Sequence, residues 1–252
     1  MILKSKRELL LLVLTGFFLT NAIVAELISN KLIDIPLHFN FLGSQWGPFT
    51  VIVGIIPWPV VFLTTDIINE YFGKSVIKKL SYLTCGMIAY AFIIVSIAIS
   101  IKANTSITSS TATDAEFTKV FGQSRWVIVG SIVAFFVSQL IDVYVFWLIR
   151  NKTGERWIWL RTTGSTLVSQ LIDSYIVLWI GFYLPDQSGQ FTLENFMSIG
   201  FTNYSFKLII ALFLTPLIYI PHYAIDRYLG EKTSHQLIEK SAEESLISKE
   251  EK

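Results

Sequence analysis

WVIVGSIVAFFVSQLIDVYVFWLI, residues 126–149, decides the fold of this chain because it is long and apolar enough to cross a bilayer as one helix. It contains Ser-Gln-Leu-Ile-Asp at Ser138–Asp142, and the same five residues return at Ser169–Asp173 within a second apolar stretch, residues 167–184. An aspartate at mid-membrane costs about 2.5 to 3.5 kcal/mol on insertion scales, so such residues are functional candidates by default. The repeat therefore indicates both a membrane fold and a site.

The composition of the whole chain is that of an integral membrane protein. Of its 252 residues, 52% are hydrophobic and only 15% are charged, and the mean hydropathy is +0.55. A transmembrane helix needs about 20 apolar residues. Six stretches of that kind predict an all-α protein with six transmembrane helices, near residues 9–30, 50–69, 80–101, 126–149, 163–184 and 205–225.

The positions of the basic residues predict that both termini are cytoplasmic, because Lys and Arg are enriched in cytoplasmic connections. With the N-terminus inside, most of the 20 Lys and Arg residues lie inside; outside lie only Lys31, Lys102, Lys119, Arg125 and Lys207. We predict one transmembrane domain, residues 1–229. Residues 230–252, with alternating charge, are predicted to form a solvated, partly disordered cytoplasmic tail.

Prolines fall inside two of the predicted helices. Pro57 and Pro59 flank Trp58 in the second, and Pro216 and Pro221 lie in the sixth, so we expect both helices to be kinked. Interrupted helices often form transporter binding sites, although a kink can also serve only to shape the bundle. Trp58 is then a candidate to stack on a planar ligand, with core packing as the alternative.

The two copies of the repeat are predicted to face each other. At about 100° per residue, Ser138, Gln139 and Asp142 share one helical arc, and Ser169, Gln170 and Asp173 share the same arc on the next helix. Since these helices are antiparallel, the copies meet at matched depth, related by a pseudo-two-fold axis in the membrane plane. They could hydrogen-bond only to each other. Two aspartates nevertheless repel unless a cation, a proton or ligand N–H groups neutralise them.

Two further polar clusters are candidates for the same site. In the first helix, Asn21, Glu26 and Asn30 form a polar ladder, although Glu26 could simply pair with Lys31. The second helix ends with a cluster of polar side chains, for which the alternative is a hydrated helix end. This cluster contains Thr64, Thr65, Asp66, Asn69 and Glu70.

Signals for other classes of protein are weak. A net charge of +1 indicates no nucleic-acid partner, and the single cysteine, Cys85, excludes an internal disulfide and a CxxC metal site. The phosphate-loop pattern fails because Ile68 stands where its first glycine is required before Gly73-Lys74-Ser75. We therefore predict neither an enzyme nor a metal or cofactor.

Several motifs in order resemble the YhhQ-type queuosine precursor transporters, also called the vitamin uptake transporter family. They are LTTDIINEYFGK at residues 63–74, the doubled Ser-Gln-Leu-Ile-Asp, and WLR at 159–161 leading into GST at 164–166. The resemblance covers roughly residues 20–185. It implies six transmembrane helices in the bacterial inner membrane and uptake of deazaguanines, chiefly 7-cyano-7-deazaguanine or its aminomethyl relative.

The resemblance supplies a ligand whose groups suit the polar side chains. A carboxylate, Asp142 or Asp173, can accept hydrogen bonds from the guanine-like N–H edge, and a carboxamide, Gln139 or Gln170, can bind the carbonyl group. An aromatic ring can stack on the base. The full set of predicted substrate-binding residues is Asn21, Glu26, Asn30, Trp58, Asp66, Asn69, Phe135, Ser138, Gln139, Asp142, Phe146, Ser165, Ser169, Gln170 and Asp173.

The energy source stays open at this stage. Transport could be facilitated, or coupled to protons through Glu26, Asp142 or Asp173. Two alternatives remain: a substrate-binding membrane subunit of an ATP-driven vitamin importer, and a membrane scaffold that transports nothing. Apart from the substrate and the lipid bilayer no partner is implied, and a homodimer is compatible with the sequence.

Overall fold

The computed structural model describes residues 5–29, 31–36, 39–41, 44–46, 49–104, 112–154, 157–186, 189 and 191–250. Within them the α-helices are α1 (Lys6–Ile28), α2 (Trp58–Phe72), α3 (Lys74–Ser100), α4 (Asp114–Phe121), α5 (Arg125–Thr153), α6 (Ile158–Leu178), α7 (Leu193–Leu214), α8 (Tyr219–Leu229) and α9 (Glu231–Glu250). A π-helical turn, Trp179–Tyr183, extends α6.

Among the residues that the structure describes, five segments are long and apolar enough to cross a membrane, and they include α1, α3, α5, α6 and α7. This confirms a membrane protein whose candidate spanning segments are all α-helical. The connection between α1 and α2 adds four short strands that the sequence did not predict: β1 (Leu32–Ile35), β2 (Phe39–Phe41), β3 (Ser44–Trp46) and β4 (Phe49–Ile52). The first pairs antiparallel with the fourth, and the second with the third.

The second apolar stretch is not a kinked helix, which corrects the prediction for residues 50–69. It begins as strand β4 and a 3-10 turn, Val53–Ile55, and α2 starts only at Trp58, with Pro57 as its N-cap and Pro59 in its first turn. A proline fits there because the first N–H groups of a helix have no intrahelical partner. The prolines therefore begin this helix, and its 15 residues span only about 22 Å.

The sixth predicted helix is also displaced and unkinked. Helix α7 starts at Leu193 and ends at Leu214, just before Pro216, and Pro221 lies in the first turn of the separate helix α8. Proline cannot donate to the helical ladder, so α7 ends there and does not bend. Lys207, expected to flank the membrane on the outside, consequently lies within the apolar helix.

The charged segment after residue 230 is a helix, not the partly disordered tail that we predicted. One face of α9 is buried, with Ser234, Leu237 and Ser241 spaced three and four residues apart. The Ser241 hydroxyl donates to the Glu70 carbonyl at 2.6 Å and accepts from Arg150 at 3.2 Å. Composition did not predict this buried face because many of the other residues of α9 are charged.

Helices α5 and α6 pack closely as an antiparallel pair at the centre of the bundle. A Cβ atom on Gly130 of α5 would lie only 3.1 Å from the backbone nitrogen of Gly181. Small residues let membrane helices approach at this distance. The close crossing fixes α5 against α6 and so sets the position of the repeated motif.

Candidate functional site

The two copies of Ser-Gln-Leu-Ile-Asp contact each other reciprocally. The Ser138 hydroxyl lies 3.4 Å from a carboxylate oxygen of Asp173, and the Ser169 hydroxyl donates to Asp142 at 3.2 Å. The serine of each copy is thus bonded to the aspartate of the other. These contacts confirm the predicted antiparallel arrangement at matched depth, because only equal depth brings both pairs together.

Asp173 is neutralised by a cation of the chain itself. Lys207 of α7 forms an ion pair with it, and both side chains are only partly exposed. Our assignment of Lys207 to an outer flank is therefore wrong. The sequence did contain a sign of this ion pair, because Lys207 lies close to apolar residues, and a lysine inside a transmembrane helix normally pairs with an acidic side chain.

A cavity of about 430 Å³ lies between α1, α2, α5, α6 and α7. Small-molecule sites generally have volumes of about 300 to 1,000 Å³ and mostly apolar walls with a few polar groups. This cavity has that character. Its polar and charged side chains include Glu26, Ser29, Gln123, Ser131, Asp173, Asn203 and Lys207, and its apolar wall includes Trp58, Phe62, Val127, Phe206 and Ile210.

Glu26 adds a second carboxylate to the cavity. Its side chain is buried, and the hydroxyl of Ser131 hydrogen-bonds to it. No ion pair joins it to Lys31 in the part of the chain that the structure describes, so the predicted alternative for Glu26 is wrong. When Glu26 and Asp173 are both ionised, Lys207 balances one of the two negative charges, and the cavity keeps a net charge of −1.

Trp58 forms an aromatic wall of the cavity. Its ring is stacked on Phe62 with a centroid distance of 5.7 Å, and Phe135 lies behind it at 5.9 Å. Phe135 is almost completely buried and does not line the cavity, so it supports the Trp58 ring from behind. The indole is thus held as a firm surface on which a planar ring can stack.

Of the predicted site residues, three line this cavity: Glu26, Trp58 and Asp173. Asp66 lines a separate crevice of about 20 Å³ between α2, α6 and α7. Asn30 lies outside the described residues. The rest do not line the cavity, and these are Asn21, Asn69, Phe135, Ser138, Gln139, Asp142, Phe146, Ser165, Ser169 and Gln170.

The predicted residues outside the cavity mostly bond to other helices. Gln139 donates to Thr65 at 3.2 Å, and Asn69 accepts from the Trp147 indole at 2.7 Å. Asn21 instead donates back to its own helix. Gln139 and Asn69 therefore tie α2 to α5, a contribution that sequence spacing alone did not suggest.

Below the cavity, Glu70 forms a buried ionic cluster with two arginines. Arg161 donates to its carboxylate at 2.6 Å and to the Gly154 carbonyl at 2.9 Å, while Arg150 lies 3.7 Å from the same Glu70 oxygen. Glu70 is 1% exposed, so the alternative of a hydrated helix end is wrong. The sequence missed this cluster because both arginines were assigned to a cytoplasmic loop.

Together, the apolar helices and the partly polar cavity define a multi-pass membrane transporter. Residues 52–221 match the profile of the family described as a putative vitamin uptake transporter, and the chain belongs to this family. It is accordingly a multi-pass protein of the bacterial inner membrane.

Two curated relatives carry the same name, probable queuosine precursor transporter. The protein of Bacillus subtilis (strain 168) is 30% identical over 172 residues, which are 68% of this chain and 71% of the relative. The protein of Haemophilus influenzae (strain ATCC 51907 / DSM 11121 / KW20 / Rd) is 25% identical over 202 residues, 78% of this chain and 79% of the relative. No solved structure matches the chain.

Proposed function

We propose that this chain takes up a queuosine precursor, 7-cyano-7-deazaguanine or a related deazaguanine, by alternating access around the cavity of about 430 Å³. The cavity is the observation that carries the proposal. It combines an aromatic wall with carboxylates and an ammonium group, and the names of the two relatives agree with such a ligand. As a transporter the chain needs no catalytic group, and we propose that it is not an enzyme.

The side chains of the cavity suit the groups of a deazaguanine. The Glu26 carboxylate can accept both N–H donors of the guanine-like edge, and Lys207 can donate to the ring carbonyl while Asp173 holds it in place. Trp58 can stack on the ring. Asp173 is then an orienting residue for Lys207 in this conformation.

The deeper predicted residues are proposed to act in a second conformation. Alternating access closes the outer side of a site and opens the inner side around it. Ser165 and Ser169 of α6 hydrogen-bond to Asp142 of α5, and Gln170 follows Ser169 in the chain, so a movement between these two helices would expose this group of residues.

We propose six membrane crossings with both termini in the cytoplasm, formed by α1, α2, α3, α5, α6 and α7. The excess of Lys and Arg on the inner connections supports this orientation. In a Cys85→Ser background, a cysteine introduced by Lys102→Cys should react with an impermeant maleimide in intact cells. Lys232→Cys should react only after permeabilisation, and the reverse pattern would exclude this topology. Both lysines are exposed.

The function is tested by reconstituting the purified chain alone in liposomes and measuring uptake of labelled 7-cyano-7-deazaguanine. Stacking of an aromatic side chain on a base is worth about 1 to 3 kcal/mol, so Trp58→Ala should weaken uptake at low substrate concentration by roughly 5- to 150-fold. Trp159→Ala is the matched control, because Trp159 is exposed away from the cavity and should leave uptake unchanged.

The same experiment separates the alternatives. Uptake without a partner protein excludes the subunit of an ATP-driven importer, and binding without uptake supports it. A scaffold would show neither. Equal uptake by wild type and Trp58→Ala would overturn the assignment of this cavity as the substrate site.

A further inference from the structure

Asn203 of α7 carries a polar group of the substrate cavity that has no partner among the residues that the structure describes. Its side chain is half-buried and lines the cavity, and its carboxamide forms no hydrogen bond with them. Ser124 is similar in this respect but is exposed. Most other polar side chains of the cavity are bonded within the protein: Ser29, Gln123 and Ser174 donate to backbone carbonyls, Ser131 bonds to Glu26, and Lys207 to Asp173. A carboxamide has both N–H donors and a carbonyl acceptor, so Asn203 can bind a ligand with either.

Asn203 lies on the same face of α7 as Lys207. The two residues are four positions apart in one helix, which is about 6 Å along its axis, and Phe206 and Ile210 line the cavity from the same face. Lys207 is also close enough to Glu26 for their charges to attract each other. A carboxylate, an ammonium group and the carboxamide of Asn203 are therefore all within reach of one small planar ligand.

The order of the polar groups on a deazaguanine fits this arrangement, and this step rests on the proposed function. Along one side of the base, the N–H edge is followed by the ring carbonyl and then by the substituent at position 7. With the N–H edge on Glu26 and the carbonyl on Lys207, the substituent extends beside Lys207 and still needs a partner. Asn203 is one helical turn from Lys207, and its carboxamide can be that partner.

We propose that Asn203 determines the specificity of the site by binding the substituent at position 7 of the base. Its N–H group donates to the nitrogen of a nitrile, and its carbonyl accepts from an aminomethyl group. An unsubstituted base leaves the half-buried carboxamide unpaired. A site that hydrogen-bonds a substrate group discriminates for this reason against the analogue that lacks the group. The site therefore takes deazaguanines with a polar group at position 7 in preference to the unsubstituted base.

The test compares uptake of labelled 7-cyano-7-deazaguanine with uptake of labelled 7-deazaguanine by the purified full-length protein in liposomes, at concentrations well below half-saturation. One neutral hydrogen bond contributes about 0.5 to 1.5 kcal/mol, so Asn203→Leu should lower the ratio of the cyano rate to the unsubstituted rate by roughly 2- to 13-fold. Uptake of 7-deazaguanine itself should be nearly unchanged. Retained uptake of that base also shows that the variant is folded.

A second variant, Asn203→Asp, changes the requirement at the same position. A carboxylate cannot donate to a nitrile, whereas it binds the ammonium group of 7-aminomethyl-7-deazaguanine. The ratio of aminomethyl to cyano uptake should therefore rise about tenfold or more. Thr202→Val is the matched control, because Thr202 is an exposed neighbour on α7 that does not line the cavity and bonds to its own helix. It should keep both ratios.

Asn203 does not bind the substituent if Asn203→Leu lowers uptake of both bases by the same factor, if it changes neither rate, or if Asn203→Asp leaves the ratio of aminomethyl to cyano uptake unchanged. Each of these results is obtained with a wild-type protein that transports, so the proposed function is then retained. Absence of uptake by the wild type would instead overturn the proposed function, and with it this role of Asn203.

Discussion

Lys207→Met is expected to reduce deazaguanine uptake by about 100-fold in protein that is still inserted in the membrane. Lys207 supplies the only cation among the described residues that line the cavity, and it forms an ion pair with Asp173. Losing a hydrogen bond from a charged donor to the substrate costs about 1.5 to 3 kcal/mol, which is roughly 10- to 150-fold in affinity. We expect an effect in the upper part of this range because the variant also leaves the Asp173 carboxylate without its ion-pair partner.

The measurement is the queuosine content of tRNA in cells that cannot make the precursor and depend on uptake. Membrane levels of each variant are measured in parallel. Lys79→Met is the matched control, since Lys79 is exposed on α3 and its loss should leave rescue normal. Normal rescue by Lys207→Met would show that the ammonium group takes no part in transport.

A double variant separates the charge from the ion pair. Lys207→Met with Asp173→Asn removes both charges, so the stability lost in the single variants should largely return. Uptake should stay low, because the donor for the ring carbonyl is still missing. If the double variant transports normally, Lys207 only neutralises Asp173 and does not contact the substrate.

The repeated motif was predictable because it depends on local geometry alone. Helical periodicity placed Ser138 and Asp142 on one face, and the antiparallel order of neighbouring helices brought them to Asp173 and Ser169. No long-range information was needed beyond the adjacency of α5 and α6. Such adjacency is the usual result for helices joined by a short connection.

The cavity was only partly predictable because its side chains come from helices far apart in the chain. Gln123, Ser131 and Lys207 carry no motif, and their meeting depends on how α1, α5 and α7 pack. The hydropathy pattern also misplaced the sixth helix, predicted at residues 205–225, by more than half of a membrane crossing, since α7 spans Leu193–Leu214. A proline can kink a helix, begin it or end it. The sequence therefore did not show that Pro59 lies in the first turn of α2 and that Pro216 follows the end of α7.

Arg161→Leu is expected to lower the free energy of unfolding by about 3 to 5 kcal/mol, the cost of removing one partner of a buried ion pair, because Arg150 contacts Glu70 only at 3.7 Å. Arg161 donates to Glu70 at 2.6 Å and to the Gly154 carbonyl at 2.9 Å, so one side chain joins α2, α6 and the end of α5. Arg161→Lys should recover only part of the loss, since a lysine lacks the planar fork that reaches both acceptors.

Equilibrium unfolding of the purified variants checks this, with Arg125→Leu as the matched control. Arg125 is an exposed first residue of α5, so its loss should change the free energy of unfolding by less than about 0.5 kcal/mol. The double variant Arg161→Leu with Glu70→Gln should be more stable than Arg161→Leu alone, because it also removes the buried carboxylate that has lost its closest cation. Equal losses for Arg161→Leu and Arg125→Leu would mean that the ionic cluster does not hold α2, α5 and α6 together.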